Sequence, residues 1–357
     1  MSSLSEIKFR NLDLQFINAL KIKTDNPLSE FKLLGTHQRI PQNYLPIEYS
    51  QVESSCGTYV DINFHRPHNY FNLKIICSGA LIEHDQVSLV YYEPKSANVV
   101  RDFIKHKKIV FIGCARNCDS SLQKSIEVMS KLGNNFLEYK LIVAENNSED
   151  NTLHLLNDLK KSYPLDFYSF GDLDSSMSLR TQRLSYCRNF LLDKAKLLNY
   201  DYVCVADLDG VFNESLELES FFSNWAFEEC WDGCFPINDG IYYDLWALRH
   251  SELIPEDFSI RMNRAVYSLS EPNIADIYLK PLQNINFNLL KGWLEVDSAF
   301  GGMGIYKSKS LTHVRYWGVD NENEICEHVI LHQKMKTLHS AKLYINPKFM
   351  IKGMSYK

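Results

Sequence analysis

Apolar strands alternate with amphipathic helices through the middle of the chain, and this alternation limits the fold more than any other feature. Lys108–Arg116 is a continuous apolar run with polar ends, as in a parallel strand buried on both faces. Tyr139–Glu145 and Asp201–Asp207 are runs of the same kind, and a shorter strand follows Pro164. The apolar spacing between these strands predicts helices at 121–133, Thr152–Tyr163 and Gln182–Leu198.

This order predicts an α/β fold with a doubly wound, mostly parallel sheet flanked by helices. A smaller β-rich N-terminal region precedes it, because residues 1–105 are typical of short strands and loops. In that region Asp85–Tyr92 is a predicted strand, since β-branched and aromatic residues dominate it. We therefore expect an N-terminal region of unknown role at 1–105 and a second domain at 106–357.

Composition excludes several classes of protein. Hydrophobic residues make up 45% and the net charge is −6, so the chain has the content of a globular domain and no basic surface for nucleic acid. No apolar stretch approaches the roughly 20 residues of a membrane span, and the N-terminus lacks the pattern of a signal peptide. The nine cysteines are scattered, which favours reduced thiols. We expect a cytoplasmic protein without a transmembrane segment, and peripheral contact with a membrane stays open.

Polar residues follow the predicted strands at the points where they end. They are Arg116–Asn117 after the first strand, Glu145–Asn147 after the second and Asp207–Asp209 after the fourth. Ligands of doubly wound sheets bind outside the carboxyl ends of the strands. These residues are therefore expected to converge on one crevice.

The sequence holds two Asp-x-Asp triplets, at Asp172–Asp174 and Asp207–Asp209. Chance alone predicts roughly 1.4 in a chain of this composition, so only their context is informative. The first triplet lies in a polar loop, whereas the second directly follows a buried strand. Two carboxylates there suit Mn²⁺ or Mg²⁺, which bind one or two carboxylates together with substrate phosphates. The alternative is an acidic pair that caps the following turn.

Several motifs together resemble the glycosyltransferases of the GT-A fold. They are the Ala-Arg-Asn that ends the first strand, Glu-Asn-Asn-Ser-x-Asp after the second, the helix segment Arg-Leu-Ser-Tyr-Cys-Arg-Asn from Arg183 and the Asp207–Asp209 triplet. Three later segments make the chain similar to the fungal capsule α-1,3-mannosyltransferase family and its microbial relatives: Tyr243–His250, Val296–Lys307 and Cys326–His332.

The resemblance implies a nucleoside-diphosphate sugar donor of the UDP or GDP type, with its diphosphate on a metal ion held by Asp207 and Asp209. Arg188 is favoured for the diphosphate, because guanidinium geometry matches phosphate. For Arg183 and Arg188, which lie on the same predicted helix, the alternative is a surface ion pair. The residues expected to contact the donor are Arg116, Asn117, Glu145, Asn147, Arg183, Arg188 and Asp207.

Later carboxylates are candidates for the catalytic roles. Asp244 lies in an aromatic segment suited to a sugar pocket, although a pair with Arg249 in a packed core would also explain it. Asp297 precedes a glycine-rich turn, where a loop-capping role is the alternative. If the reaction inverts the configuration, Glu327 or Asp297 is the candidate base that takes the proton of the acceptor. The resemblance suggests His328 as a further metal ligand, and a structural histidine is the alternative.

The expected activity is transfer of a hexose, with mannose favoured by the resemblance, to a glycan or glycolipid acceptor in surface polysaccharide or glycan synthesis. The resemblance favours retention of configuration, and the residues themselves leave inversion open. Two other classes stay open. A nucleotidyltransferase that makes a nucleotide sugar would favour a glycine-rich loop after the first strand, and a non-catalytic sugar-binding protein would be expected to lose Asp207 and Asp209.

Overall fold

The structure is a computed structural model that describes residues 4–10, 12–24, 30–36, 44–53, 59–70, 72–78, 82–212, 216–257, 285–320 and 323–352. Its internal contacts divide the chain into two compact units. The first contains Met1–Pro94, Glu228–Cys230 and Lys291–Glu295, and the second contains Lys95–Phe227, Trp231–Leu290 and Val296–Lys357. The functional division between 1–105 and 106–357 stays a prediction.

The elements are numbered here in chain order. The strands are β1 (Leu4–Phe9), β2 (Ile17–Lys23), β3 (Glu30–Thr36), β4 (Leu45–Pro46), β5 (Tyr49–Glu53), β6 (Tyr59–His68), β7 (Asn72–Ser78), β8 (Val87–Tyr91), β9 (Lys108–Ala115), β10 (Glu138–Glu145), β11 (Leu165–Ser169), β12 (Tyr202–Ala206), β13 (Gly233–Asn238), β14 (Leu294–Glu295), β15 (Met303–Lys307), β16 (Val319–Asp320), β17 (Asn323–Glu324) and β18 (Leu343–Ile351). The α-helices are α1 (Ala97–Ile104), α2 (Asp119–Gly133), α3 (Thr152–Leu159), α4 (Arg180–Leu197), α5 (Leu218–Phe222) and α6 (Glu327–His339). Short 3₁₀ turns lie at His84–Gln86, Ser223–Cys230, Phe287–Leu289 and Ser308–Leu311.

The first unit is built from two antiparallel four-stranded sheets, in the orders β1-β7-β3-β4 and β5-β6-β2-β8. Side chains from both sheets meet in one apolar core, among them Leu73 of β7 and Ile62 of β6. Buried and exposed residues alternate along much of β6, as expected of a strand with one face on a core and one in water. The predicted β-rich N-terminal region is thus confirmed.

The predicted strand at Asp85–Tyr92 is present but shorter. It begins at Val87, because Asp85 and Gln86 belong to a 3₁₀ turn. That turn is closed by the side chain of Gln86, whose Oε1 accepts a hydrogen bond from the backbone N–H of Glu83 at 2.7 Å.

The second unit contains a mostly parallel sheet with the strand order β11-β10-β9-β12-β15-β13-β18. β9, β10, β11 and β12 all run parallel, as their apolar sequences predicted. β15 is antiparallel to both of its neighbours, and β13 is parallel to β18. The predicted fold class, a mostly parallel sheet flanked by helices, is confirmed.

The strand order reverses after β11, because the chain next enters β12 on the other side of β9. Parallel crossovers are almost always right-handed, so α4 lies on the face opposite to α2 and α3. The observed helices begin and end close to the predicted ones. The exception is α3, which ends at Leu159 rather than Tyr163, because the chain turns at residues 160–162.

Candidate active site

A cavity of about 310 Å³ opens at the reversal of strand order, beside the ends of β9 and β12. Doubly wound sheets bind their ligands at such a reversal, outside the carboxyl ends of the strands. Four parts of the chain form the wall: the end of β9, the residue after β10, the residues after β12 and the first turns of α4. The lining residues are Cys114, Ala115, Arg116, Asn146, Arg180, Arg183, Leu184, Asp207 and Asp209.

Asp207 and Asp209 are the two acidic side chains of this cavity. The backbone N–H of Asp207 donates to the carbonyl oxygen of Gly302 at 3.0 Å, which fixes the chain just past β12. Its Oδ1 accepts a hydrogen bond from Nη2 of Arg188 at 2.9 Å. Asp209 is exposed, and its side chain forms no hydrogen bond or ion pair with any described residue. Both carboxylates thus have oxygen atoms available to the cavity.

The electrostatic surroundings of Asp207 favour its neutral form. Burial raises the pKa of Asp207 from 3.8 to about 7; Arg188 opposes this shift, and the carboxylates of Asp209 and Asp244 add to it. A carboxylate pair of this kind fits Mg²⁺ or Mn²⁺, because hard oxygen donors are what these cations prefer. Within the described ranges no group of three or more His, Cys, Asp or Glu side chains could hold a metal ion. Oxygen atoms of a substrate would therefore have to complete the coordination.

Three arginines, Arg116, Arg180 and Arg183, line the same cavity as these carboxylates. Arg180 is exposed and forms no side-chain hydrogen bond with any residue that the structure describes, yet it is close enough to lower the pKa of Asp207. Arg116 and Arg183 both bind the carboxylate of Asp174. The cavity therefore combines two acidic side chains with three guanidinium groups.

Arg188 was expected to contact a diphosphate, and the structure places it behind the cavity wall. Its side chain is only 5% exposed and is shared between Asp207 and Glu327, with Nη1 paired to Oε1 of Glu327. The guanidinium carbon lies 5.4 Å from the ring centroid of Phe300 and 5.7 Å from that of Tyr316. Arg188 is thus a buried cation between two carboxylates, and it influences the cavity through its hydrogen bond to Asp207.

Asn117 and Asn147 shape the turns that follow β9 and β10. Both have a left-handed backbone, with φ of 49° and 52°. Oδ1 of Asn117 accepts from the N–H of Glu149 at 2.8 Å, and Nδ2 of Asn147 donates to Oδ1 of Asp172 at 2.7 Å. Both are therefore close to the cavity wall, without being among its lining residues.

Glu145 ends β10 and is almost fully buried. Its Oε1 accepts from the N–H of Ser148 at 3.0 Å, and its Oε2 accepts from the hydroxyl of Ser169 at 2.5 Å. These bonds tie the turn after β10 to the end of β11. Asn146, the next residue, is the one in this turn that lines the cavity.

Asp244 is the predicted catalytic carboxylate whose charge acts on Asp207. Its Oδ2 accepts from the N–H of Gly301 at 3.0 Å and its Oδ1 from the N–H of Ala247 at 3.2 Å. The carboxylate of Asp244 and the backbone N–H of Asp207 thus bind two neighbouring residues of one turn, Gly301 and Gly302. Burial raises the pKa of Asp244, as it does that of Asp207.

Asp297 and Glu327 lie elsewhere. Asp297 is exposed on the surface and forms an ion pair with Lys336. Glu327, the first residue of α6, is buried against Arg188. None of the three candidate catalytic carboxylates is among the residues that line the cavity. Asp244 is close enough for its charge to act on Asp207, and Glu327 is joined to Asp207 through Arg188.

His328, the predicted metal ligand, is packed among rings rather than exposed to the cavity. Its ring is stacked on Phe300 with centroids 3.8 Å apart and meets Tyr316 edge-on at 5.4 Å. Among the described residues, neither ring nitrogen has a hydrogen-bond partner. Burial lowers the pKa of His328 well below 6.5, and the Arg188 cation adds to the shift, so the ring is neutral. The structure does not bring His328 into the cavity beside Asp207 and Asp209.

Sequence reasoning named neither Arg180 of the cavity lining nor Tyr243 beside the turn at Gly302. Arg180 lies two residues before the predicted start of its helix. Tyr243 is partly buried; its removal from water raises its pKa well above 10, and the charges of Asp244 and Asp207 add to this shift. A Cβ atom built on Gly302 would lie 2.8 Å from the Tyr243 hydroxyl, so this hydroxyl touches the turn that binds Asp207. The aromatic composition of 239–249 was the available signal for it.

No helix among the described residues is both long and apolar enough to cross a membrane.

Comparisons with known proteins give structural likenesses only. No family model matches the sequence, and no curated protein matches it. TarS 1-349 from S. aureus in complex with UDP-GlcNAc is 14% identical, covering 70% of this chain and 60% of its own, with a TM-score of 0.39. The mannosyltransferase PcManGT from Pyrobaculum calidifontis, in complex with GDP-Man and Mn²⁺, is 10% identical, covering 71% of this chain and 58% of its own, with a TM-score of 0.43.

A third similar structure is glucosyl-3-phosphoglycerate synthase from Mycobacterium tuberculosis, in complex with Mn²⁺, UDP and glucosyl-3-phosphoglycerate. It is 12% identical, covers 75% of this chain and 78% of its own, and has a TM-score of 0.38. The present chain spans about 60% of the length of the first two structures. Likenesses at these identities and TM-scores carry no assignment of function, which has to come from the residues of the cavity.

Proposed function

We propose that this protein is a metal-dependent glycosyltransferase of the GT-A type, which moves a hexose from a nucleoside-diphosphate sugar to a glycan or glycolipid acceptor. One observation carries the proposal. At the carboxyl edge of a doubly wound sheet, a single cavity of about 310 Å³ presents two carboxylates and three guanidinium groups to the same space. A divalent cation and a diphosphate are the ligands that such a pairing of charges suits.

Asp207 and Asp209 are the residues that would hold Mn²⁺ or Mg²⁺. Such a cation, once bound, offsets the negative charge that develops on the departing nucleoside diphosphate. Arg180 is the guanidinium best suited to the diphosphate itself, because its donors are not engaged by any described residue. Asn146 follows β10 and lines the cavity on the side where we place the nucleoside.

Asp244 is the carboxylate that we assign to the reacting sugar or acceptor. It lies within electrostatic reach of Asp207, and burial raises its pKa, which suits a group that takes up a proton from a hydroxyl. In an inverting reaction Asp244 would act as the base. In a retaining reaction, which the sequence resemblance favours, it would orient the sugar or stabilise the developing positive charge.

The finer assignment follows the sequence resemblance. We propose UDP or GDP as the nucleotide, mannose as the favoured hexose, and surface polysaccharide or glycan synthesis as the pathway, as for the fungal capsule mannosyltransferases. Asn117, Glu145 and Asn147 support the nucleotide side of the cavity by fixing its turns. Action in the cytoplasm, with peripheral contact at a membrane that carries a glycolipid acceptor, completes the proposal.

Thermal unfolding with UDP, GDP, CMP and ATP, each with and without Mn²⁺, tests this proposal. A ligand that binds only the folded state raises the unfolding midpoint by mass action. We expect UDP or GDP to raise it only in the presence of the metal, and Asp209→Asn to abolish that rise. A rise with ATP alone would instead favour a nucleotidyltransferase.

Asp158→Asn is the matched control. Asp158 is an exposed aspartate of α3 that pairs with Lys161 and lies outside the cavity, so its removal should leave the nucleotide response unchanged. If no nucleotide shifts the midpoint of the unmodified protein under any condition, the assignment of the cavity is wrong.

A further inference from the structure

The triplet that sequence analysis set aside, Asp172–Asp174, lies against the cavity. The carboxylate of Asp174 is held by two of the three cavity arginines. Nη1 and Nη2 of Arg116 donate to its Oδ1 and Oδ2 at 3.0 and 2.6 Å, and Nε of Arg183 lies 2.8 Å from Oδ1. Two guanidinium groups from β9 and α4 thus surround one carboxylate of the loop between β11 and α4.

The rest of this loop, residues 171–178, is fastened in the same way. Nη1 of Arg183 donates to the carbonyl oxygens of Met177 and Ser178 at 2.6 and 2.9 Å. Asp172 accepts from Nδ2 of Asn147 at 2.7 Å. The loop is therefore held by Arg116, Arg183 and Asn147, which are three of the side chains expected to contact the nucleotide.

The ion pair between Arg116 and Asp174 is accessible to solvent, whereas the side chain of Arg183 is 14% exposed. The side chains of Arg116 and Asp174 are 39% and 41% exposed, and exposed ion pairs add little net stability because water screens them. A guanidinium fork that binds a carboxylate through two parallel hydrogen bonds fits a phosphate in the same manner, and a phosphate carries more charge. Arg116 pulls the pKa of Asp174 below 3.8, so the loop presents a carboxylate anion at neutral pH.

We propose that Arg116 and Arg183 form an anion site, that Asp174 of the chain itself occupies it in this structure, and that a phosphate group of the nucleotide takes over the site. The inference rests on the proposed function and adds to it a second phosphate contact beside Arg180. Phosphate binding then frees residues 171–178 from the cavity wall, so nucleotide binding and release of this loop are one event.

Isothermal titration of UDP and GDP with Mn²⁺ into Asp174→Asn tests the exchange. Loss of the competing carboxylate should tighten binding about fivefold, because the two arginines no longer have to give up an anionic partner. Arg183→Gln should weaken binding by about tenfold. Asp158→Asn, outside the cavity, should bind as the unmodified protein does.

Hydrogen exchange of the backbone amides at 171–178 supplies the second measurement. Exchange in this loop should accelerate when the nucleotide binds the unmodified protein, and should already be fast in Asp174→Asn. Equal or weaker nucleotide binding by Asp174→Asn would overturn the inference, since Asp174 would then serve to position the arginines. Slower exchange of the loop on nucleotide binding would overturn it as well.

Binding of inorganic pyrophosphate distinguishes a failure of the anion site from a failure of the proposed function. If the unmodified protein binds pyrophosphate, and Asp174→Asn binds it more tightly, while no nucleotide binds, the anion site stands and the proposed function fails. If nucleotides bind but Asp174→Asn binds neither probe more tightly, the function stands and the exchange fails. Binding of neither probe by either protein would overturn both.

Discussion

The two units of the chain bury different kinds of side chain. Among the described residues of the first unit, Glu295 is the charged side chain that is buried, and the core between its sheets is built from residues such as Ile62 and Leu73. The second unit buries a series of ionised or ionisable groups, several of them in pairs: Glu145, Arg188, Asp232, Arg249, His250, Asp257, Glu327, His328 and His332.

This difference indicates which of the two units contains the functional site. Burial of a charge costs free energy unless a partner compensates it, and an apolar replacement of a whole buried pair is often neutral or stabilising. Stability therefore does not explain why Arg188 and Glu327 lie side by side in the interior. Their position directly behind Asp207 explains it. A buried cation there keeps the carboxylate of Asp207 oriented and opposes its protonation.

The largest effect is expected from Arg188→Met. The substitution leaves Asp207 and Glu327 without their shared cation, and removal of one member of a buried pair typically costs about 3–5 kcal/mol. Urea unfolding should show this loss, and the double variant Arg188→Met/Glu327→Met should recover part of it. Arg101→Met is the control, because Arg101 forms an exposed pair with Glu219. Equal losses for the two arginines would contradict the comparison.

A somewhat smaller effect is expected at the turn that joins Asp207 to Asp244. Gly302 has φ of 87°, and a Cβ atom there would lie 2.8 Å from the Tyr243 hydroxyl. Gly302→Ala should therefore cost about 1–3 kcal/mol by urea unfolding and weaken the metal-dependent nucleotide response. Gly171→Ala separates backbone strain from crowding, because Gly171 also has a positive φ but has no atom near its Cβ position. If both variants lose the same stability, crowding against Tyr243 has no part in the effect.

The strands of the α/β unit could be predicted because each is a local apolar run. β9 was expected from Lys108 to Arg116 and spans Lys108–Ala115, and β12 was expected within Asp201–Asp207 and spans Tyr202–Ala206. The acidic pair at the end of β12 followed from the same local pattern. The pattern of neighbouring residues in the sequence was sufficient to predict these features.

Features that depend on distant residues or on unmarked boundaries could not be predicted. The pairing of Arg188 with Glu327 joins helices that are far apart in the chain, and no local pattern encodes it. Arg180 was missed because α4 begins two residues before the predicted start at Gln182. Leu179 precedes the helix without a capping side-chain bond, so the sequence carries no N-cap signal there.

The pH dependence of metal binding tests whether the buried charges serve the cavity. Burial raises the pKa of Asp207 to about 7, so protons compete with a cation near neutrality. The metal-dependent rise in the unfolding midpoint with nucleotide should therefore shrink as the pH falls from 8 to 6, with affinity for Mn²⁺ changing up to about tenfold per pH unit. A nucleotide response without metal should not follow this profile. A response that is flat from pH 8 to 6 would show that protonation of Asp207 does not compete with the cation in this range.

Protonation of Asp207 weakens metal binding but stabilises the folded protein without metal. The pH dependence of unfolding is therefore a separate measurement. A carboxyl with a raised pKa in the folded state keeps its proton where the unfolded chain has lost it, so its contribution to stability falls as the pH rises from about 4 to about 7. Without metal, the stability difference between the unmodified protein and Asp207→Asn should therefore shift against the unmodified protein over this range. Addition of Mn²⁺ should reduce that shift.

The smallest effect is expected from Ile62→Val, which sharpens the comparison from the side of the first unit. Ile62 lies fully buried on β6, and loss of one methylene group there should cost about 0.5–1.5 kcal/mol, with no change in affinity for nucleotide or Mn²⁺. Ile112→Val makes the same change on β9, two residues before Cys114 of the cavity wall. Urea unfolding should measure the loss of stability in each variant, and hydrogen exchange should locate it. The two losses should lie in different units, because each unit has its own core. Weakened nucleotide binding by Ile62→Val but not by Ile112→Val would assign the first unit a direct part in the site.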